Sequence, residues 1–494
     1  MGKKLLITTS LVLTLGFTTA SAEEVVTKVT THKTKKIHRK HHNDAYSPKA
    51  HLAAKHHTVE KKEEVMVFAE VAPIATQIET KKSDDLDIKV KGKVDLQYGL
   101  VNQRQDFKHP INTNALPQNN ITNSNTYTQK AYGANFYNEN ALVTNGEVEV
   151  TAAKTIGSSK YGAGLVMNAN PSPTSGGNTN PASKVFLFME GDIGRFEAGA
   201  LDGASHSMSP SADRIAKATG GIDGDFSNWM TVGAYSNITD IVLNNIFITS
   251  PALPYASQFA KKANKVNFYS NKMNGFQMGV GFTRDTDAQG TTYSTLGFKG
   301  KGYKNVIEGG LSYEGKMGDN SLTLSAVGQL GQARPYYVDA NNPSVELKTL
   351  GAWEIGGRVQ MDKITLAASY GDWDKSGTMT SSTAKKIAKF WTAGAAYDHK
   401  DLGLSLTYMN SERKGGFDSS CYSYILAKNA AGSNAMAYDN ASNKYQALSL
   451  GAEYKLMPGL TPYAEVTGFE YKSTLDDVKL NKGAVFLGGI KLNF

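Results

Sequence analysis

From Leu86 onward, apolar and polar residues alternate with a period of two, as in a strand whose two faces meet different surroundings. Leu86, Ile88, Val90, Gly92, Val94, Leu96, Tyr98 and Leu100 share one face; Asp87, Lys89, Lys91, Lys93, Asp95, Gln97 and Gly99 share the other. That run exceeds a typical globular strand and suits a tilted strand crossing a bilayer. The pattern returns at 349–361, where Trp353, Ile355, Gly357, Val359 and Met361 oppose Glu354, Gly356, Arg358 and Gln360. It recurs at 402–411 and 445–456, and it closes the chain. In 483–494, Phe486, Gly488, Ile490, Leu492 and Phe494 oppose Gly489, Lys491 and Asn493. The segment 185–189 is apolar on both faces, which leaves its orientation open.

Extending the reading gives strands at 86–100, 141–156, 161–169, 184–190, 195–201, 265–270, 275–285, 304–315, 320–333, 349–361, 364–373, 388–397, 402–411, 445–456, 461–471 and 483–494. Short turns fall at 157–160, 191–194, 271–274, 316–319, 362–363, 398–401 and 457–460. Long polar connections fall at 102–140, 170–183, 202–264, 286–303, 334–348, 374–387, 412–444 and 472–482. Short turns at one end and long loops at the other are the arrangement of an outer-membrane barrel. Both ends of the barrel chain must then lie on the short-turn side, so the strand number is even. Counting 291–300 as a strand breaks that order, and assigning it to a loop leaves sixteen. The expected fold is therefore all-β, a transmembrane antiparallel β-barrel of sixteen strands. Its polar inner face fits an aqueous lumen rather than a packed core.

The chain has 494 residues, with 48 glycines, 24 tyrosines and only 14 prolines, enough for two ordinary domains or one large barrel. Mean hydropathy is slightly negative, and past the first two dozen residues no run of about 18 apolar residues offers a membrane helix. Residues 1–22 read as a signal peptide for Sec export. Lys3 and Lys4 precede an apolar core, and Ala20-Ser21-Ala22 fits the cleavage pattern. With Cys421 the single cysteine, no internal disulfide can form. The formal charge of +8 is small for this length and does not point to nucleic acid.

Residues 23–85 differ from the rest and read as a periplasmic extension without a packed core. Seven of the ten histidines fall here. His38, His41, His42, His56 and His57 are candidate metal ligands, although no fixed ligand spacing supports them. The interspersed lysines offer an alternative, attachment to an anionic cell wall. Elsewhere His109, His206 and His399 are scattered. No nucleophile–histidine set, phosphate loop or cofactor motif is present, so neither an enzyme nor a bound cofactor is expected.

Four stretches carry a family resemblance: VFLFMEGDIGRFEAGA (185–200), ANKVNFYSNKMNGFQMGVGF (263–282), MPGLTPYAEVTGFEYK (457–472) and VFLGGIKLNF (485–494). In this order and at these distances from the end, they resemble the general porins of Gram-negative bacteria over roughly 86–494. The resemblance implies a homotrimer of water-filled barrels in outer-membrane lipid, with the long third loop folded into each pore. It also implies a terminal strand ending in Phe494 that the barrel-assembly machinery reads.

Within 202–264, residues 210–218 are expected to form a short helix ended by Gly220-Gly221. Asp213, Arg214, Lys217, Asp223 and Asp225 are its candidate constriction residues. Lys89, Lys91, Arg195 and Arg358 are their candidates on the barrel wall, and alternation turns Glu308, Glu354 and Glu453 inward too. The expected function is passive diffusion of small hydrophilic solutes and ions, with selectivity set by charge at the narrowest point. A porin-like surface antigen or adhesin acting through loops 102–140 and 412–444 is the alternative.

Overall fold

A computed structural model describes residues 86–104, 107, 139–170, 182–231, 233–236, 246–251, 262–291, 302–336, 345–378, 380, 388–415, 441–476 and 478–494. The signal peptide, the extension with its five candidate histidines, Cys421 and the segment 291–300 (except Thr291) lie outside them.

Sixteen antiparallel strands form a closed barrel. The first eight are β1 Asp87–Gln103, β2 Asn140–Ile156, β3 Ser159–Asn168, β4 Ala182–Gly191, β5 Gly194–Ala200, β6 Asn264–Ser270, β7 Phe276–Asp285 and β8 Tyr303–Met317. The others are β9 Asn320–Ala333, β10 Leu350–Met361, β11 Ile364–Asp374, β12 Ala388–His399, β13 Leu402–Lys414, β14 Ser442–Tyr454, β15 Leu460–Ser473 and β16 Lys482–Asn493. Each expected strand has its counterpart, within a few residues at either end. Closure leaves no free edge: β16 pairs β15 on one side and β1 on the other, with Lys93 opposite Asn493.

The pleat sorts the side chains as the alternation requires. Val94, Leu96, Tyr98 and Leu100 of β1 are exposed on the outside, whereas Asp95 and Gln97 are buried within. Trp353, Ile355, Leu404, Leu406, Leu448, Leu450, Phe486 and Ile490 are likewise exposed apolar residues on outward positions. In water such a surface would be an aggregation hazard; against lipid it is the solvent-matched face. The register also settles 185–189. Val185, Leu187 and Met189 face out, and Phe186 and Phe188 turn inward over Gly164 and Gly162 of β3.

The third long connection, 201–263, contains a helical turn Ala204–Ser207 and 3₁₀ turns Ala212–Ile215, Gly221–Asp223 and Asp225–Asn228. A short strand, Ala234–Ser236, pairs with Val478–Leu480 of the last long connection. The helix expected over 210–218 is thus a single 3₁₀ turn, and the chain is already extended at Ala216. Ser405 and Glu453 on the barrel wall take the Lys217 and Ala218 N–H groups that would have bonded within a helix.

Candidate functional site

Residues 202–231 follow the inner wall from strand to strand, and inward-facing side chains hold them at each step. Lys184 of β4 pairs with Asp202 at 2.5 Å, and Asn267 of β6 donates to the Asp202 carbonyl at 2.8 Å. Glu308 of β8 accepts from both the N–H and the hydroxyl of Ser205. Lys265 supports Glu308 from β6 at 3.4 Å, and both side chains are almost fully buried. Ser209 donates to Glu354 of β10 at 2.8 Å. The Ala212 N–H donates to Thr392 of β12 at 3.0 Å, and the Lys217 N–H to Ser405 of β13 at 2.8 Å.

The tightest anchor is Glu465 of β15. It accepts from the Thr219 N–H at 3.1 Å, the Thr219 hydroxyl at 2.6 Å and the Gly221 N–H at 3.1 Å. Glu453 accepts from the Ala218 N–H at 3.2 Å, and Lys491 of β16 donates to the Ala218 carbonyl. Gly221 has φ +63, and a Cβ there would overlap Thr407; only glycine lets the backbone approach the wall this closely. Farther on, Asp225 accepts from Gln97 at 3.0 Å, and Gln97 accepts from the Trp229 indole at 2.7 Å. Tyr463 receives the second Gln97 bond and donates to Asp95 at 2.8 Å.

On the long-loop side the loop also packs through apolar contacts. Ile222, Phe226, Ile246, Phe247 and Ile248 form one buried cluster with inward-facing Phe390, Met409, Tyr445, Phe469 and Tyr471. This corrects the expectation of an inner face that is polar throughout. Part of the barrel interior is a packed core, and the polar passage is confined to the rest.

Between the loop and the wall lies a cavity of about 570 Å³, lined by Arg214, Ile215, Lys217, Glu314, Lys316, Thr323, Arg358, Gln360 and Asp398 among others. Lys217 pairs with Asp398 at 2.6 Å, and Glu314 is taken by Lys272 at 2.6 Å. Arg214 donates to the His206 carbonyl at 2.6 Å, and Arg358 to the Thr323 hydroxyl at 3.4 Å. The structure therefore brings Arg214, Lys217 and Arg358 to one space. Asp213 lies beside Arg214 at 3.9 Å; burial, then the nearby Asp223 charge, pushes its pKa above the usual carboxylate value. Asp223 is exposed and accepts from Ser250 at 2.6 Å.

The other wall candidates lie apart. Arg195 is clamped by Glu190 and Glu197 and stacks over Phe188 at 4.4 Å. Lys89 and Lys91 precede Gly92, where β1 meets the chain terminus, so they sit at the short-turn rim. They pair there with Asp87 at 3.6 Å and Glu149 at 3.5 Å. The residues sequence reasoning missed are Glu465, Gln97, Tyr463 and Lys491. Their inward orientation is legible in the alternation of 86–100, 461–471 and 483–494, but nothing local marks them as partners of a loop more than a hundred residues away. Among the described residues no cluster of His, Cys, Asp or Glu is arranged to hold a metal ion.

A family model described as Gram-negative porin matches residues 65–474. An uncharacterized protein of Rickettsia conorii is 25% identical over 464 residues, covering 83% of this chain and 94% of its own. One from Rickettsia typhi is 26% identical over 400 residues, covering 70% and 83%. Among solved structures, the trimer form of OmpT from Vibrio cholerae gives a TM-score of 0.48 at 11% identity, over 83% of this chain and all of that one. An anion-selective porin from Comamonas acidovorans gives 0.47 at 14% identity with the same coverage. With its closed sixteen-strand barrel and a family match over most of its length, the chain belongs to the Gram-negative porins and is an outer-membrane channel protein.

Proposed function

We propose that this chain forms a water-filled pore for passive diffusion of small hydrophilic solutes and ions, with residues 201–231 setting its narrowest part. The observation that carries this reading is the anchoring of that loop to inward-facing Glu308, Glu354, Glu453 and Glu465. A connection held at so many points stays inside the barrel, and it leaves a charged passage beside Arg214 and Arg358. Charges of both signs line that passage, which favours a transverse field and weak selectivity over a single-sign filter. The reading includes Sec export with loss of residues 1–22, insertion through the strand ending in Phe494, and assembly as a homotrimer.

Single-channel recording in a planar bilayer tests it. Stable, uniform steps at neutral pH are the expected result. A folded, inserted oligomer without conductance would overturn the pore and favour the surface-antigen alternative.

A further inference from the structure

Around the barrel, every pair of neighbouring strands but one is consecutive in the chain. The exception is the seam, where residues 93–103 of β1 pair with residues 483–493 of β16 and no connection joins the two strands. Strands joined by a short connection stay close after they part. The first and last strands do not, and the entropy of the long intervening chain opposes their return. Side chains inside the barrel take the place of the missing connection. Tyr463 of β15 crosses over β16 to reach β1. Its ring lies against Gly489 of β16, where a Cβ would overlap it. Its hydroxyl donates to Asp95 at 2.8 Å and accepts from Gln97 at 3.0 Å, both on β1. The Lys491 ammonium of β16 stands over the same ring at 4.6 Å.

The third long connection makes the same crossing. Glu465 of β15 holds Thr219, Lys491 of β16 holds the Ala218 carbonyl, and Gln97 of β1 holds Asp225 and Trp229. Thr231 then donates its N–H and its hydroxyl to Gln103 of β1, at 3.1 and 2.8 Å. Asn481, the residue before β16, donates its side-chain amide to Gln103 at 2.9 Å and to the Thr231 hydroxyl at 3.1 Å. Its backbone N–H goes to the Gly233 carbonyl at 2.9 Å, next to the pairing of Ala234–Ser236 with Val478–Leu480. Asp95, Gln97 and Asn481 are at most 1% exposed, so water does not replace a partner that moves away, and a lost bond carries its full desolvation cost. We infer that residues 218–231 and the strand Ala234–Ser236 clamp the closing seam, so that β16 parts from β1 only after the loop has left the wall. This is a second task for the loop, separate from narrowing the pore. Its anchors farther round, Ser209 on Glu354 and Ala212 on Thr392, lie on strands that their own connections already hold.

Residue-resolved hydrogen exchange of the folded protein in neutral detergent tests it, because exchange of a bonded amide reports local opening. In the wild type, the bonded amides of Thr219, Gly221 and Thr231 are expected to exchange at least as fast as those of the seam, within 93–103 and 483–493. Tyr463→Phe keeps the ring and removes both hydroxyl bonds. Combined with Asn481→Ala, it should speed exchange along the seam by about tenfold, the loss of roughly one buried hydrogen bond, and leave the rungs between β9 and β10 unchanged. Thr392→Val, which releases the Ala212 N–H, should leave the seam at the wild-type rate. A seam that exchanges faster than those loop amides in the wild type overturns the inference even if no variant folds. So does an unchanged seam in the double variant, or equal acceleration by Thr392→Val. Exchange rates need no conductance, so the pore reading stands or falls separately.

Discussion

The ring of Phe494 lies over Gly92. The two residues also exchange backbone hydrogen bonds, Gly92 N–H to the Phe494 carbonyl at 2.8 Å and Phe494 N–H to the Gly92 carbonyl at 3.0 Å. This is the last rung of the seam between β1 and β16. A Cβ on Gly92 would overlap the ring, so the absence of a side chain there is what lets the aromatic close the barrel.

Gly92→Val is therefore expected to displace Phe494 and reduce the heat-modifiable, folded fraction several-fold, as deletion of Phe494 should. Asn493→Ala should leave insertion near wild type. Semi-native electrophoresis of outer-membrane fractions reads all three. Normal folding of both Gly92→Val and the Phe494 deletion would remove the seam from the assembly argument.

Glu465 holds three loop donors. Hydrogen bonds to a charged acceptor contribute roughly 1.5–3 kcal/mol each when a partner is removed. Glu465→Ala should thus free the segment around Thr219 and produce rapid flicker in single-channel records. Glu465→Gln, which keeps an acceptor oxygen, should show less. A quiet Glu465→Ala channel would mean that the loop is held elsewhere.

Asp213 titrates above an ordinary carboxylate because of burial and the Asp223 charge. Lowering pH from neutral therefore neutralises it before the exposed acids. The reversal potential should begin to move toward anions at a higher pH than in the Asp213→Asn variant, whose shift waits for the remaining carboxylates. Coincident titration curves would exclude Asp213 from the permeation path.

Selectivity should respond to charges at the constriction and little to the outer loops, because exposed fields decay over about 8–10 Å at physiological salt. Arg358→Glu should move the reversal potential toward cations. Asp223→Lys should move it toward anions, with loss of the single bond from Ser250. Asp225→Lys should also move it toward anions but break the bond from Gln97, adding flicker. If charge reversal within 416–440 shifted the potential as far as Asp223→Lys does, the narrowest point would lie outside the loop segment 202–231.

The strands, their count and their inward and outward faces were legible in the sequence, because the pleat repeats every two residues and lipid and water select opposite side chains. Leu96 and Gln97 need no tertiary information to be told apart. The constriction was legible only as a candidate loop. Glu465 and Thr219 are 246 residues apart, and only closure of the barrel puts them in contact. Phe186 and Phe188 show the same limit: both faces of 185–189 are apolar, and the register against Gly164 and Gly162 decides which turns inward. The packed cluster around Phe226 and Tyr445 contradicts the expectation of a polar interior because alternation reports which face a residue takes, not what fills the space in front of it. The helix expected at 210–218 gave way for a related reason. Ser405 and Glu453 offered the Lys217 and Ala218 N–H groups acceptors that no local pattern contains. Local periodicity determines the wall of this protein; contacts between distant segments determine what the wall encloses.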